Sequence, residues 1–159
     1  MLARPFAATW LLLVLTCLSP RAMAQELQPG MFLGLETGAY ATLEKTESNR
    51  WRLVDHGQAK DIKLTASGGP PIAPKNAIRF VLEADATGGA RLTVANGYDQ
   101  RLVYKGDIQQ RASSAPVKTS LCPVWPNIIS IEFWPYALKR INLGEFRLVQ
   151  DEQQKLACE

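Results

Sequence analysis

Apolar and polar residues alternate with a period of two along most of the chain beyond residue 25, and the runs are short. That period places successive side chains on opposite faces of an extended backbone, so each run predicts a half-buried strand. Tyr40 to Lys45 is the first clear run, followed by the polar turn Thr46-Glu47-Ser48-Asn49. Trp51, Leu53 and Asp55 then alternate with Arg50, Arg52 and Val54. His56-Gly57-Gln58 reads as a turn into Asp61 to Thr65, where Ile62 and Leu64 share a face, which completes a three-stranded meander. Ser67-Gly68-Gly69-Pro70-Pro71 and Pro74 cannot hold a central strand, because proline lacks the ladder donor, so Ala66 to Asn76 reads as a surface loop.

A second meander follows. Ile78, Phe80, Leu82 and Ala84 alternate with Arg79, Val81 and Glu83. Thr87-Gly88-Gly89 supplies a positive-φ hairpin turn, Arg91 to Ala95 returns, and Asn96-Gly97-Tyr98-Asp99 turns again. Leu102 and Tyr104 share a face, and Lys105-Gly106-Asp107 ends or bends that strand. Arg111 to Pro116 is polar loop, and Ile128 to Trp134 is β-branched and aromatic, hence strand. Near the end, Ile141 and Leu143 have one parity and Phe146 and Leu148 the other, with Gly144 between them. One inserted residue there, a β-bulge, would restore a common face. Repeated short strands with Gly and Asn turns predict an all-β, antiparallel β-sandwich of jelly-roll or immunoglobulin-like type, with a small β-barrel as the alternative.

The first 24 residues break this pattern. Arg4 precedes a nearly unbroken apolar run from Phe6 to Leu18, Pro20 interrupts it, and Ala22-Met23-Ala24 offers small residues to a signal peptidase. The expectation is a cleaved secretory signal over residues 1–24, a single β-sandwich domain over residues 25–159, and a periplasmic or secreted product. The run is shorter than the roughly 20 apolar residues that a membrane span needs, so no membrane span is expected after cleavage. A lipidated Cys17 fits poorly, since bulky Leu15 and Thr16 precede it.

Cleavage also changes charge. Of 18 Lys and Arg it removes Arg4 and Arg21, leaving a net charge of +1 against 15 Asp and Glu. With no basic run, nucleic acid is excluded as an expected partner. Cys122 and Cys158 are the cysteines left, and an oxidising compartment with an even count predicts a disulfide closing a loop of about 37 residues.

Candidate chemistry is sparse. His56 is the only histidine, so no metal site and no cofactor are expected. No Gly-x-Ser-x-Gly and no P-loop occur, and no catalytic residue is assigned. Glu132, between Ile131 and Phe133, reads by alternation as an outward-facing surface acid, with acid catalysis of glycan cleavage as its functional alternative. Trp125, Phe133, Trp134 and Tyr136 concentrate aromatic area in twelve residues, with Lys139 and Arg140 adjacent. Such a stiff platform suits stacking on sugar or an interface, and core filling against the bridge is the competing use. Trp125, Glu132, Trp134, Tyr136 and Arg140 are therefore the candidate binding residues.

The segment Thr119-Ser120-Leu121-Cys122-Pro123 and the later Glu132-Phe133-Trp134-Pro135 carry a resemblance. Together with Asn96-Gly97-Tyr98-Asp99 and Leu102-Val103-Tyr104, they are similar to a group of exported proteobacterial β-proteins. That group has a Thr-Ser-x-Cys-Pro element and a Glu-x-Trp-Pro element before a final strand. The similarity spans roughly the C-terminal half, does not cover Gln25 to Pro74, and carries no activity with it. The expected function is a non-enzymatic periplasmic or secreted sandwich that binds a protein or cell-envelope component. The alternative is one that binds or hydrolyses carbohydrate through the aromatic platform.

Overall fold

A computed structural model describes residues 25–62, 73–150 and 158. The predicted signal at residues 1–24, most of the predicted third strand and most of the Pro-rich loop lie outside these residues.

Among the described residues ten strands follow in chain order: β1 (Gln25–Glu26), β2 (Leu33–Glu36), β3 (Ala39–Lys45), β4 (Trp51–Gln58), β5 (Ala77–Ala84), β6 (Ala90–Asn96), β7 (Arg101–Gln110), β8 (Val117–Thr119), β9 (Ile129–Trp134) and β10 (Leu138–Val149). They form two sheets, one of six strands ordered β1-β4-β3-β5-β6-β9 and one of four ordered β2-β10-β7-β8. Every pairing is antiparallel. The two sheets pack over one apolar core, giving an open all-β sandwich rather than a closed barrel. Among the described residues no helix is long and apolar enough to cross a membrane.

The core follows from alternation. Ile78, Phe80 and Leu82 on β5 and Leu92 and Val94 on β6 meet Leu102, Tyr104 and Ile108 on β7 and Ile141 and Leu143 on β10. Each such side chain contributes about 1.5–3 kcal/mol by leaving water. Trp51 ties the sheets together: its ring packs edge-on to Phe146, and its indole N–H donates to the Phe146 carbonyl at 3.0 Å.

Turns and bulges use the residues that their backbone requires. Gly88 has φ +89° in the β5–β6 hairpin, and Asn49, Asn76 and Asn127 occupy the left-handed region that asparagine tolerates. Asp85 closes the hairpin by accepting bonds from the Thr87 N–H at 2.6 Å and the Gly89 N–H at 3.0 Å. The bulge predicted around Gly144 is present: the β10–β7 register shifts between Gly144 and Arg147. It brings Phe146 and Leu148 back onto the core that Ile141 and Leu143 line.

Three local expectations are corrected. His56-Gly57-Gln58 is not a turn but the last part of β4, paired with Ala39 to Ala41, and His56 is an exposed strand residue. β7 runs on through Lys105-Gly106-Asp107 to Gln110 rather than ending there. Trp51 and Leu53 face the core as expected, but a register shift opposite Thr42 and Leu43 turns Asp55 to the other face. There Asp55 accepts a bond from the Tyr40 hydroxyl at 2.9 Å.

Candidate functional site

Among the described residues β9 is the edge of the six-stranded sheet and pairs only with β6. Its sequence, Ile-Ser-Ile-Glu-Phe-Trp, is β-branched and aromatic, which suits an extended backbone. The phase of its ladder can be read from one bond. Asn96 N–H donates to the Ile128 carbonyl at 3.0 Å. Antiparallel pairs alternate between bonded and non-bonded positions, so the even-numbered residues of β9 bond to β6. Ile129, Ile131 and Phe133 therefore point their N–H and C=O groups away from the sheet.

Side chains sort the same way. Leu92 and Ala90, both core residues, lie opposite Glu132 and Trp134, so those two face the interior. Ile131 and Phe133 face outward, 45% and 63% exposed, and Ile128 just before them is 50% exposed. The edge thus carries free backbone groups and apolar side chains over the same few residues. No Lys, Arg or Pro interrupts it, although those residues commonly protect an edge strand.

Behind β9 runs a strap, residues 119–125, that closes the side of the sandwich. Val124 and Leu102 exchange backbone bonds at 2.9 Å, and Leu121 and Val124 are buried. Cys122 and Cys158 form the expected disulfide. The indole N–H of Trp134 donates to the Thr119 hydroxyl at 3.0 Å.

Glu132 is a correction. It is not an outward-facing acid; it points inward and is half-buried, and its carboxylate accepts the Cys122 N–H at 3.0 Å. The interior position is tolerated because the strap supplies that donor. Its charge acts on Tyr104 of β7, which is 1% exposed and whose hydroxyl finds no hydrogen-bond partner among the described residues. Burial first, and the Glu132 charge second, hold the Tyr104 phenol far above its usual pKa.

The other sequence candidates are spread out. Trp125 is 51% exposed, and one face of its ring is covered by the Arg101 guanidinium at 3.7 Å. Its carbonyl accepts from the Asn96 amide at 3.1 Å, which fixes it at the Asn96 end of β9. Tyr136 lies beyond the opposite end, two residues past Trp134. A six-residue strand separates them by about 17 Å along its length. Trp134 is buried between the two ends. Arg140 lies on β10 between Glu36 and Gln109, on the outer face of the other sheet. The structure thus gathers Glu132, Trp134, Cys122 and Cys158 at one place and leaves Trp125, Tyr136 and Arg140 apart. Ile131 is the exposed group that the sequence pattern left out, and Phe133 belongs to the predicted aromatic cluster but sits apart from Trp134, on the outer face beside Ile131; the signal for both was an apolar strand with no protecting charge on its outer face.

Elsewhere, a shallow groove of about 260 Å³ runs along the outer face of the four-stranded sheet beside Phe32, Lys105 and Lys118. Lys105 pairs there with Glu145 at 2.9 Å. Among the described residues no three His, Cys, Asp or Glu side chains come together as a metal-holding group. Comparison of the chain with family profiles, with curated proteins and with solved structures finds no match.

Proposed function

We propose that this protein is a non-enzymatic binding module of the periplasm or the extracellular space, which engages a protein partner by strand addition along β9. The observation that carries the reading is the coincidence on Ile129, Ile131 and Phe133 of free backbone groups with the exposed side chains of Ile131 and Phe133. In strand addition, main-chain bonds supply affinity and alternate side chains supply specificity. The Cys122–Cys158 bridge supports the placement outside the cytoplasm, because such bonds persist where the surroundings are oxidising.

The test is affinity capture from an envelope extract with the wild-type chain and with the double variant Ile131→Lys, Phe133→Lys. Both side chains are exposed, so the variant should fold. Proteins retained by the wild type should be lost by the variant. An unchanged captured set would show that β9 is not the docking edge.

The carbohydrate reading keeps one supporting observation. Trp125 is half-exposed, with the Arg101 guanidinium stacked on its ring, and an exposed indole of this kind suits stacking on a sugar. A glycan array with Trp125→Ala decides it: no binding, or binding that the substitution leaves intact, ends that reading.

A further inference from the structure

The geometry points to a second copy of this chain as an occupant of the β9 edge, paired antiparallel to it across a two-fold axis through Ile131. This deepens the strand-addition reading and rests on it.

The argument starts from ladder phase. Only Ile129, Ile131 and Phe133 present outward N–H and C=O groups, so a partner strand must oppose them with residues of the same kind. For two copies of β9 related by a two-fold axis, one register places all three in use. Ile131 faces Ile131 of the other copy, and Ile129 faces Phe133 in both directions. Those three bonded pairs supply about six backbone hydrogen bonds. Pro135 and the turned Asn127, whose N–H donates to the Tyr98 carbonyl at 3.1 Å, limit the ladder at its two ends.

Side chains fit the same register. On the outer face, Ile129, Ile131 and Phe133 of one copy lie beside Phe133, Ile131 and Ile129 of the other, apolar against apolar. On the inner face, Ser130 falls opposite Glu132. An inward charge ordinarily protects an edge from pairing, because a neighbouring strand would bury it unpaired. Here the Glu132 carboxylate already accepts the Cys122 N–H, and the opposing serine hydroxyl can donate to it as well. No two like charges meet. The symmetry is isologous, as in most homodimers, and joins the six-stranded sheets of both copies into one.

A contact of one six-residue strand is smaller than the roughly 1,200 Å² of a standard stable interface, so the dimer is weak and depends on concentration. Sedimentation velocity of the chain purified with its disulfide, from about 1 µM to 1 mM, should show monomer giving way to dimer, and Phe133→Lys should hold it monomeric. Register is read by cross-linking. Ile131→Cys alone should oxidise to a covalent dimer, since bonded pairs place Cα atoms about 5.5 Å apart, within the reach of a disulfide. Ile129→Cys alone should not link to itself, but should link when mixed with Phe133→Cys.

A dimer insensitive to Phe133→Lys, or one that links through Ile129→Cys alone, overturns the register. A chain that stays monomeric, but loses its captured envelope proteins on Ile131→Lys, Phe133→Lys, overturns self-pairing and leaves strand addition standing. A monomeric chain with an unchanged captured set overturns both.

Discussion

Replacing Tyr104 by Phe should stabilise the protein. The ring sits in the core, packed edge-on to Phe80 at 5.8 Å between centroids, and both contact and burial survive the substitution. What disappears is a hydroxyl with no hydrogen-bond partner among the described residues. A buried, unsatisfied polar group costs about 1–3 kcal/mol. Against this, the lost oxygen leaves a void of roughly 10 Å³, worth about 0.2 kcal/mol of cavity penalty. The expected net gain is about 1–2 kcal/mol, or some 3–6 °C in the thermal midpoint for a domain of this size. Urea titration should show a higher midpoint at unchanged slope.

Alkaline pH gives a second readout of the same group. The folded pKa of Tyr104 is raised well above the ordinary phenol value of about 10, by burial first and by the Glu132 charge second. The protonated phenol therefore contributes stability that is complete below about pH 10 and is lost as the unfolded chain ionises above it. Each further pH unit should cost the wild type about 1.4 kcal/mol that Tyr104→Phe does not lose. A loss of more than 1 kcal/mol at neutral pH in Tyr104→Phe would refute the reasoning, because it would mean that the hydroxyl is bonded in solution.

Three further outcomes are expected. Cys122→Ser removes the tie across 36 residues of sequence and should cost about 3–4 kcal/mol on the chain-entropy model, measured by urea titration beside the reduced wild type. Gly89→Ala should destabilise by about 2 kcal/mol, since its Cβ would run into the backbone carbonyl oxygen of Trp134, whereas Gly144→Ala meets the movable Phe32 ring first and should cost under about 1 kcal/mol; melting curves separate the two. The Asp85 carboxyl is held below the ordinary aspartate value of about 3.9 by the Thr87 hydroxyl first, then by backbone N–H groups of Gly89, Thr87 and Gly88. Its contribution is present above that value and fades as pH falls through the lower folded one, so Asp85→Ala should flatten the acid limb of the stability profile.

The strands were legible because their alternation is clean, and the Gly144 bulge because parity reverses across a glycine. Strand ends were not legible where a glycine lies inside a continuing strand. Gly57 sits opposite Tyr40 inside the β3–β4 ladder, where a Cβ would lie 3.0 Å from the Tyr40 ring. Gly106 lies under Leu121, whose methyl would be 2.8 Å from a Cβ there. Both mark close packing in a continuing strand rather than its end. Glu132 was misplaced for a different reason. Alternation shows that it opposes Ile131 and Phe133, but not which set faces in. The strap decides that by offering the Cys122 amide to the carboxylate. Tertiary packing thereby leaves the two hydrophobic residues outside.

The strand order has a consequence for biogenesis. β2 is the edge of its sheet and has its ladder partner in β10, with Leu35 opposite Ile141. A polypeptide emerging from its N-terminus must therefore carry Leu33 and Leu35 unpaired until nearly all of it has been made. Such distant closure is slow and exposes sticky surface on the way. Chains truncated before residue 138 should depend on a holding chaperone and fall to proteolysis without one.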